Sequence, residues 1–223
     1  MLSSLILITV VPIVLLIAAF FISRAIFRIV MAVMTIAFII LIAIGGLVIY
    51  DAYRFSDSLE SAPNRFVLAN GTAGVEALNH TITELDAEGL EGASNGTVFV
   101  VSDAFISLNA TAGFDGVNAT RDDALDAIRA DDPHERFVEA LSDDPALRSL
   151  YEDSLRETYD DTQMRSYVFG QLLASTLELE GNDALIIGIR DETIDVEPDR
   201  LVLRFIRVMP ARVIEQTLSI EVE

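Results

Sequence analysis

Two long apolar segments, at residues 2–22 and 29–50, dominate the hydrophobic pattern of the chain. As helices they would each reach about 31–33 Å, which matches the hydrocarbon core of a bilayer. The short connection between them holds Arg24 and Arg28, and residues 1–50 contain no acidic side chain. This pattern predicts a transmembrane helical hairpin over residues 1–56, with aromatic and charged residues at its exit.

The connection leaves one structural alternative open. It contains no Gly, Pro or Asn, although a helical hairpin usually has a helix-breaking residue at its turn. A continuous bent helix, or a first segment lying partly in the membrane interface, would also fit the sequence. A cleaved signal peptide fits less well, because the first segment lacks a basic start and its apolar stretch is too long.

The expected topology follows from charge and from glycosylation motifs. Arg24 and Arg28 place the hairpin turn in the cytoplasm and both termini outside, by the positive-inside rule. Five of the seven asparagines lie in Asn-X-Thr sequons, where random placement would give roughly one. The predicted glycosylation sites are Asn70, Asn79, Asn95, Asn109 and Asn118. They predict a two-pass cell-membrane protein whose C-terminal domain is extracellular and carries N-linked glycans.

Residues 57–223 show mixed periodicity, which predicts an α+β domain with an antiparallel sheet and a helical layer. Runs rich in β-branched and apolar residues predict strands, and a 3–4 spacing of apolar residues over 75–85 predicts a helix. The predicted strands are 65–69, 97–101, 184–189, 201–208 and 217–222.

The helical layer is predicted over residues 120–180. Thr120 has the position of an N-cap, three residues before Asp123. Asp132-Pro133 and Asp144-Pro145 each combine an N-cap residue with proline at the first helical position. These local signals predict where three helices begin.

The balance of charged residues indicates the salt environment of the domain. Residues 51–223 hold all 35 acidic residues against 13 Arg and no Lys, a formal charge near −22. This composition resembles that of proteins from extremely halophilic archaea, although an acidic protein of a GC-rich mesophile remains an alternative. Molar salt would screen the repulsion between these carboxylates. The surface excludes nucleic acid as an expected partner and disfavours anionic lipid headgroups.

Candidate chemistry is sparse. The chain has no Cys and two histidines: His80 lies inside a sequon, and His134 is expected to face solvent in a first helical turn. Neither suits a catalytic triad or a zinc cluster. No catalytic residue and no cofactor is predicted, and the chain is expected to be a non-enzyme.

The alternating acids Asp195, Glu197 and Asp199 are weak candidates for calcium, because they lack the glycine and terminal glutamate of a calcium loop. A basic stretch follows at residues 200–212. It favours pairing with the surrounding acids over binding of an external anion.

The basic turn, second apolar segment and exit aspartate resemble small, uncharacterised membrane proteins of halophilic archaea, over residues 1–56 only. The expected function is therefore that of a glycosylated cell-envelope protein of a halophilic archaeon or its virus. It would act through a protein partner, as a homo-oligomer or within a surface assembly. The alternatives are a carboxylate-based ectoenzyme, such as a hydrolase, and a cytoplasm-facing sensor or regulatory domain.

Overall fold

A computed structural model describes residues 2–61, 64–78, 81–85, 96–181 and 183–210. The chain divides into two compact units, Met1–Tyr50 and Asp51–Glu223. The first unit consists of helix α1 (Leu2–Ser61), whose last turns continue into the second unit. The predicted strand at 217–222 lies outside the described residues.

Helix α1 corrects the expected hairpin. It is continuous for 60 residues, about 90 Å at the rise of an α-helix, and it passes through Arg24 and Arg28 without a turn. The physical reason is the missing helix breaker in the connection. In the described part of the chain, α1 is the one helix long and apolar enough to cross a membrane, over Ile26–Asp57, and its most apolar window is not buried.

The change from two spans to one also corrects the expected topology. A helix that crosses a bilayer once has its two ends on opposite sides, so the prediction of two termini on the same side no longer holds.

The second unit is built on a mixed five-stranded sheet in the order β3-β2-β1-β4-β7. Strands β1 and β4 are parallel, whereas the other neighbouring pairs are antiparallel. The predicted antiparallel sheet is therefore wrong at this central pair. The strands are β1 (Asn64–Leu68), β2 (Gly74–Leu78), β3 (Thr81–Glu84), β4 (Val98–Val101) and β7 (Ile194–Glu197).

A separate hairpin joins β5 (Thr111–Phe114) to β6 (Val117–Thr120). Its two turn residues, Asp115 and Gly116, both have positive φ, at 50° and 79°. Asp-Gly is a preferred sequence for this turn, because both positions need a left-handed backbone.

The predicted helical layer is confirmed between residues 121 and 180. Thr120, Asp132 and Asp144 cap α2, α3 and α4 as expected, each accepting backbone N–H groups of the first turn. The helices are α2 (Arg121–Arg129), α3 (Pro133–Leu141), α4 (Pro145–Thr158) and α5 (Asp161–Glu180).

Three elements differ from the sequence prediction. Within residues 75–85, where a helix is predicted, the structure has strands β2 and β3. Residues 184–189 and 201–208, where strands are predicted, lie in helices α6 (Ala184–Arg190) and α7 (Leu201–Val208). Short apolar runs do not distinguish a strand from a helix by themselves. Arg204 and Arg207, three residues apart on α7, are a helical signal that the prediction overlooked.

Helix α5 lies at the centre of the core. Phe169, Leu172 and Leu173 are fully buried. Gly170 faces the sheet so closely that an added Cβ would lie 3.1 Å from Val75 Cγ1 and 3.3 Å from Ile82 Cγ2. A side chain at this position would therefore push α5 away from β2 and β3.

The burial of α5 gives a stability prediction. Phe169→Ala should lower the free energy of unfolding by about 3–5 kcal/mol, because it removes a fully buried ring and leaves a cavity. Leu179→Ala is the matched control on the same helix, since Leu179 is exposed, and it should change stability by less than about 0.5 kcal/mol. Urea unfolding of the full chain followed by tyrosine fluorescence would measure both. Equal losses would contradict the central position of α5.

Candidate functional site

Three of the five sequons fall on described residues, and their asparagines Asn70, Asn109 and Asn118 are exposed. Asn79 and Asn95 lie outside the described residues. At Asn70 the side-chain Oδ1 accepts hydrogen bonds from the backbone N–H and the hydroxyl of Thr72, at 3.3 and 2.8 Å. The asparagine and threonine of this sequon are therefore in direct contact within an exposed turn.

Asn118 lies on the exposed face of β6, opposite Gly113 of β5. Its Oδ1 occupies the space next to Gly113, since a Cβ built on this glycine would lie 2.4 Å from it. The β5–β6 hairpin thus presents Asn118 to solvent on a defined backbone.

Asn109 lines a cleft of about 620 Å³ between the 104–109 loop and helix α6. The charged groups on the walls of this cleft have partners within the chain. Arg121 donates to the carbonyl oxygens of Asp103 and Ile106, at 2.6 and 3.0 Å, and Glu180 accepts from the Ser107 hydroxyl at 2.8 Å. These side chains hold the loop in place.

Asp191 is a further acid on the cleft wall. The hydrogen bond from the Arg190 guanidinium lowers its pKa, and this outweighs the opposing effect of partial burial. A general acid needs a raised pKa to hold its proton near neutral pH, so Asp191 is unsuited to that role.

His134 does not face solvent, contrary to the sequence prediction. It is 1% exposed, and its Nε2 lies 3.0 Å from the carbonyl oxygen of Tyr159. A carbonyl only accepts, so Nε2 carries a proton. Nδ1 lies 3.3 Å from Asp161 Oδ1 but forms no hydrogen bond there.

This position explains what the histidine does in the fold. His134 is the second residue of α3, and its hydrogen bond connects the first turn of α3 to the end of α4, where Tyr159 is the C-cap residue. Among the described residues it makes no hydrogen bond to a hydroxyl group, so it does not form the pair of base and nucleophile that acyl transfer requires. His80 lies outside the described residues.

The calcium candidates are partly occupied by internal ion pairs. Asp195 pairs with Arg207, and Asp199 lies 2.7 Å from Arg204. Glu197 is exposed at the end of β7. In the described part of the chain no group of three or more acidic or histidine side chains could hold a metal ion. The expected internal pairing of the basic stretch is thus found at Arg204 and Arg207.

Sequence reasoning overlooked two features of this unit. The cleft beside Asn109 is assembled from segments far apart in the chain, so local patterns give no signal for it. The outer face of α7 carries Leu201, Phe205 and Val208, all exposed. Their i, i+4, i+7 spacing was a readable signal of one helix face.

No protein-family model, curated protein or solved structure matches the chain.

The cap at Asp132 gives a prediction for the acid stability of the domain. Partial burial raises the pKa of Asp132, but hydrogen bonds from the Glu135 N–H, the Arg156 side chain and the His134 N–H outweigh it and lower the pKa overall. A folded-state pKa below the unfolded value means that this stabilisation is present at neutral pH. It is lost as the pH falls through the folded-state pKa.

Asp132→Asn keeps an N-cap acceptor and removes the charge, so it should flatten the loss of stability below the ordinary aspartate pKa. Asp132→Ala should in addition cost about 1 kcal/mol at neutral pH, because the cap is lost. Asp153→Asn removes the same charge from an exposed position on α4 and is the control. Urea midpoints measured from neutral to acid pH would test this. The same acid dependence in D132N and D153N would contradict it.

Proposed function

We propose that the chain is a membrane-anchored, N-glycosylated cell-envelope protein of a halophilic archaeon or its virus. Its acidic outer domain acts through contacts with other proteins, as a subunit of a surface assembly. The observation that carries the proposal is the unburied apolar stretch Ile26–Asp57 of α1, which leads directly into an acidic domain with exposed sequons.

The proposed anchor crosses the bilayer once, with residues 29–50 as the span. Arg24 and Arg28 flank this segment on its N-terminal side and are exposed, which favours a cytoplasmic position for that flank. A single crossing then places the domain after Asp51 outside, where its asparagines are accessible to a glycosylation system. Charge and sequons both support this orientation.

The length of α1 supports an assembly function. About one third of a 90 Å helix fits within a hydrocarbon core of about 30 Å. If 29–50 spans the bilayer, the apolar run 2–22 lies beyond it and needs another apolar cover. We infer that a second protein or further copies of this chain provide that cover.

The rival reading as a carboxylate-based ectoenzyme has less support. Its best location would be the cleft beside Asn109, but Asp191 has a lowered pKa and Glu180 is bound to Ser107. A glycan on Asn109 would also lie on the wall of this cleft. The other alternative, a cytoplasm-facing sensor, places the domain on the opposite side of the membrane, so an experiment on topology distinguishes it from our proposal.

The orientation can be tested on the native membrane protein. Intact-protein mass spectrometry should find glycans on the sequons of the wild-type chain. The R24Q/R28Q variant should carry fewer glycans, because the charges that retain its N-terminal flank inside are removed. R136Q/R148Q removes two arginines from α3 and α4 and should leave glycosylation unchanged.

Unmodified asparagines in the wild-type chain would contradict the outward orientation and favour the cytoplasmic sensor. If glycans are present, crosslinking in native membranes at high salt should then join the chain to a protein. Recovery of the uncrosslinked chain alone would contradict the assembly function.

The acidic surface predicts a dependence of stability on salt. The domain should lose stability as the salt concentration falls from molar to about 0.01 M, because the Debye length grows from about 3 to about 30 Å and repulsion between carboxylates increases. Thermal unfolding at a series of salt concentrations would measure this. D153N/E157Q/E178Q removes three exposed charges and should reduce the slope. Stability independent of salt would contradict the halophilic assignment.

A further inference from the structure

Helix α7 is apolar on two opposite faces. On the inner face Leu203 is fully buried in the core of the domain. On the outer face Leu201, Phe205 and Val208 are 50%, 49% and 76% exposed. The apolar side chains of α7 thus cover more of the helix than the core of the domain buries, and a substantial apolar area stays exposed.

Hydrogen bonding and ring contacts fix α7 to the end of α1. The backbone N–H of Val202 donates to Asp51 Oδ2 at 2.9 Å. The Arg200 guanidinium carbon lies 5.6 Å from the centre of the Phe55 ring, within the range of a cation–π contact. Asp51 directly follows the apolar part of α1 and is the first charged residue after Arg28. The start of α7 is therefore attached to residues that directly follow the proposed span in the sequence.

The charge of α7 also differs from that of the rest of the domain. The helix contains no acidic residue, and its arginines Arg204 and Arg207 are paired with Asp199 and Asp195. Most of the domain surface would be repelled by anionic headgroups, whereas the two arginines of α7 are each paired with an acid beside the helix. Arginine stems can also lie along an apolar layer while their guanidinium groups remain in the headgroup region.

We propose that the outer face of α7, formed by Leu201, Phe205 and Val208, inserts into the interfacial layer of the membrane that anchors α1. Amphipathic helices at such a surface bury their apolar face about 5–10 Å into the boundary between headgroups and acyl chains. This inference rests on the proposed membrane anchorage of α1. It adds a second attachment, which fixes the distance between the domain and the lipid surface.

The chain contains no Trp, so a single introduced Trp reports one position. We would prepare the full chain as F205W, reconstitute it at molar salt in phosphatidylcholine vesicles, and measure quenching by brominated phosphatidylcholine. I42W reports the proposed span. L150W is the matched control, because Leu150 is an exposed leucine on α4 and is 62% exposed.

The expected result is a blue-shifted F205W emission that brominated lipid quenches several-fold more than the emission of L150W, with I42W quenched as well. If I42W is quenched and F205W is not, the α7 proposal is wrong and the anchor stands. If neither is quenched, the anchor is wrong and the α7 proposal fails with it.

Two other outcomes would also overturn the inference. A blue-shifted F205W emission without quenching means that protein covers the face, either residues 211–223 or a second copy. Equal quenching of F205W and L150W means general adsorption of the domain to the vesicle. A shallow-brominated lipid that quenches F205W more than a deep-brominated one would support an interfacial position.

Discussion

The close packing of α5 between the sheet and the other helices is the interaction on which the second unit depends. Gly170 allows the backbone of α5 to approach β2 and β3, and the Ser166 hydroxyl donates to the carbonyl oxygen of Leu85 at 2.8 Å. On a neighbouring face of α5, Tyr167 donates to the carbonyl oxygen of Gly113 at 2.7 Å, in the hairpin that carries Asn118. One buried helix therefore joins the core to the hairpin that carries the sequon of Asn118.

The sequence predicted those features of the domain that local chemistry decides. An Asp-Pro pair specifies a helix start by itself, because the carboxylate accepts the free N–H groups and proline needs none. The segments 75–85 and 184–208 were misassigned because their short apolar runs suit either structure. In the folded chain Val75 lies against Gly170, and this contact with a residue far along the sequence favours the strand.

At the candidate site, too, the sequence predicts the local motifs but not the features that depend on tertiary packing. Sequons are defined by three consecutive residues, and the three whose asparagines lie among the described residues present them to solvent. The burial of His134 could not be predicted from its position in a first turn, since it depends on the carbonyl group of Tyr159 at the end of another helix. The cleft beside Asn109 likewise depends on tertiary packing between the 104–109 loop and α6.

The continuity of α1 has the largest consequence for function. No residue from 23 to 28 is a helix breaker, and α1 continues through this connection. The lengths of the two apolar segments suggested a hairpin, but length alone does not produce a turn. Arg24 and Arg28 flank the proposed span in a single crossing as well, so the charge rule supports the same proposed orientation. What changes is the N-terminal run 2–22. In a hairpin it would cross the bilayer beside residues 29–50, whereas in the proposed single crossing it lies outside that span, and the proposed assembly would supply its apolar cover.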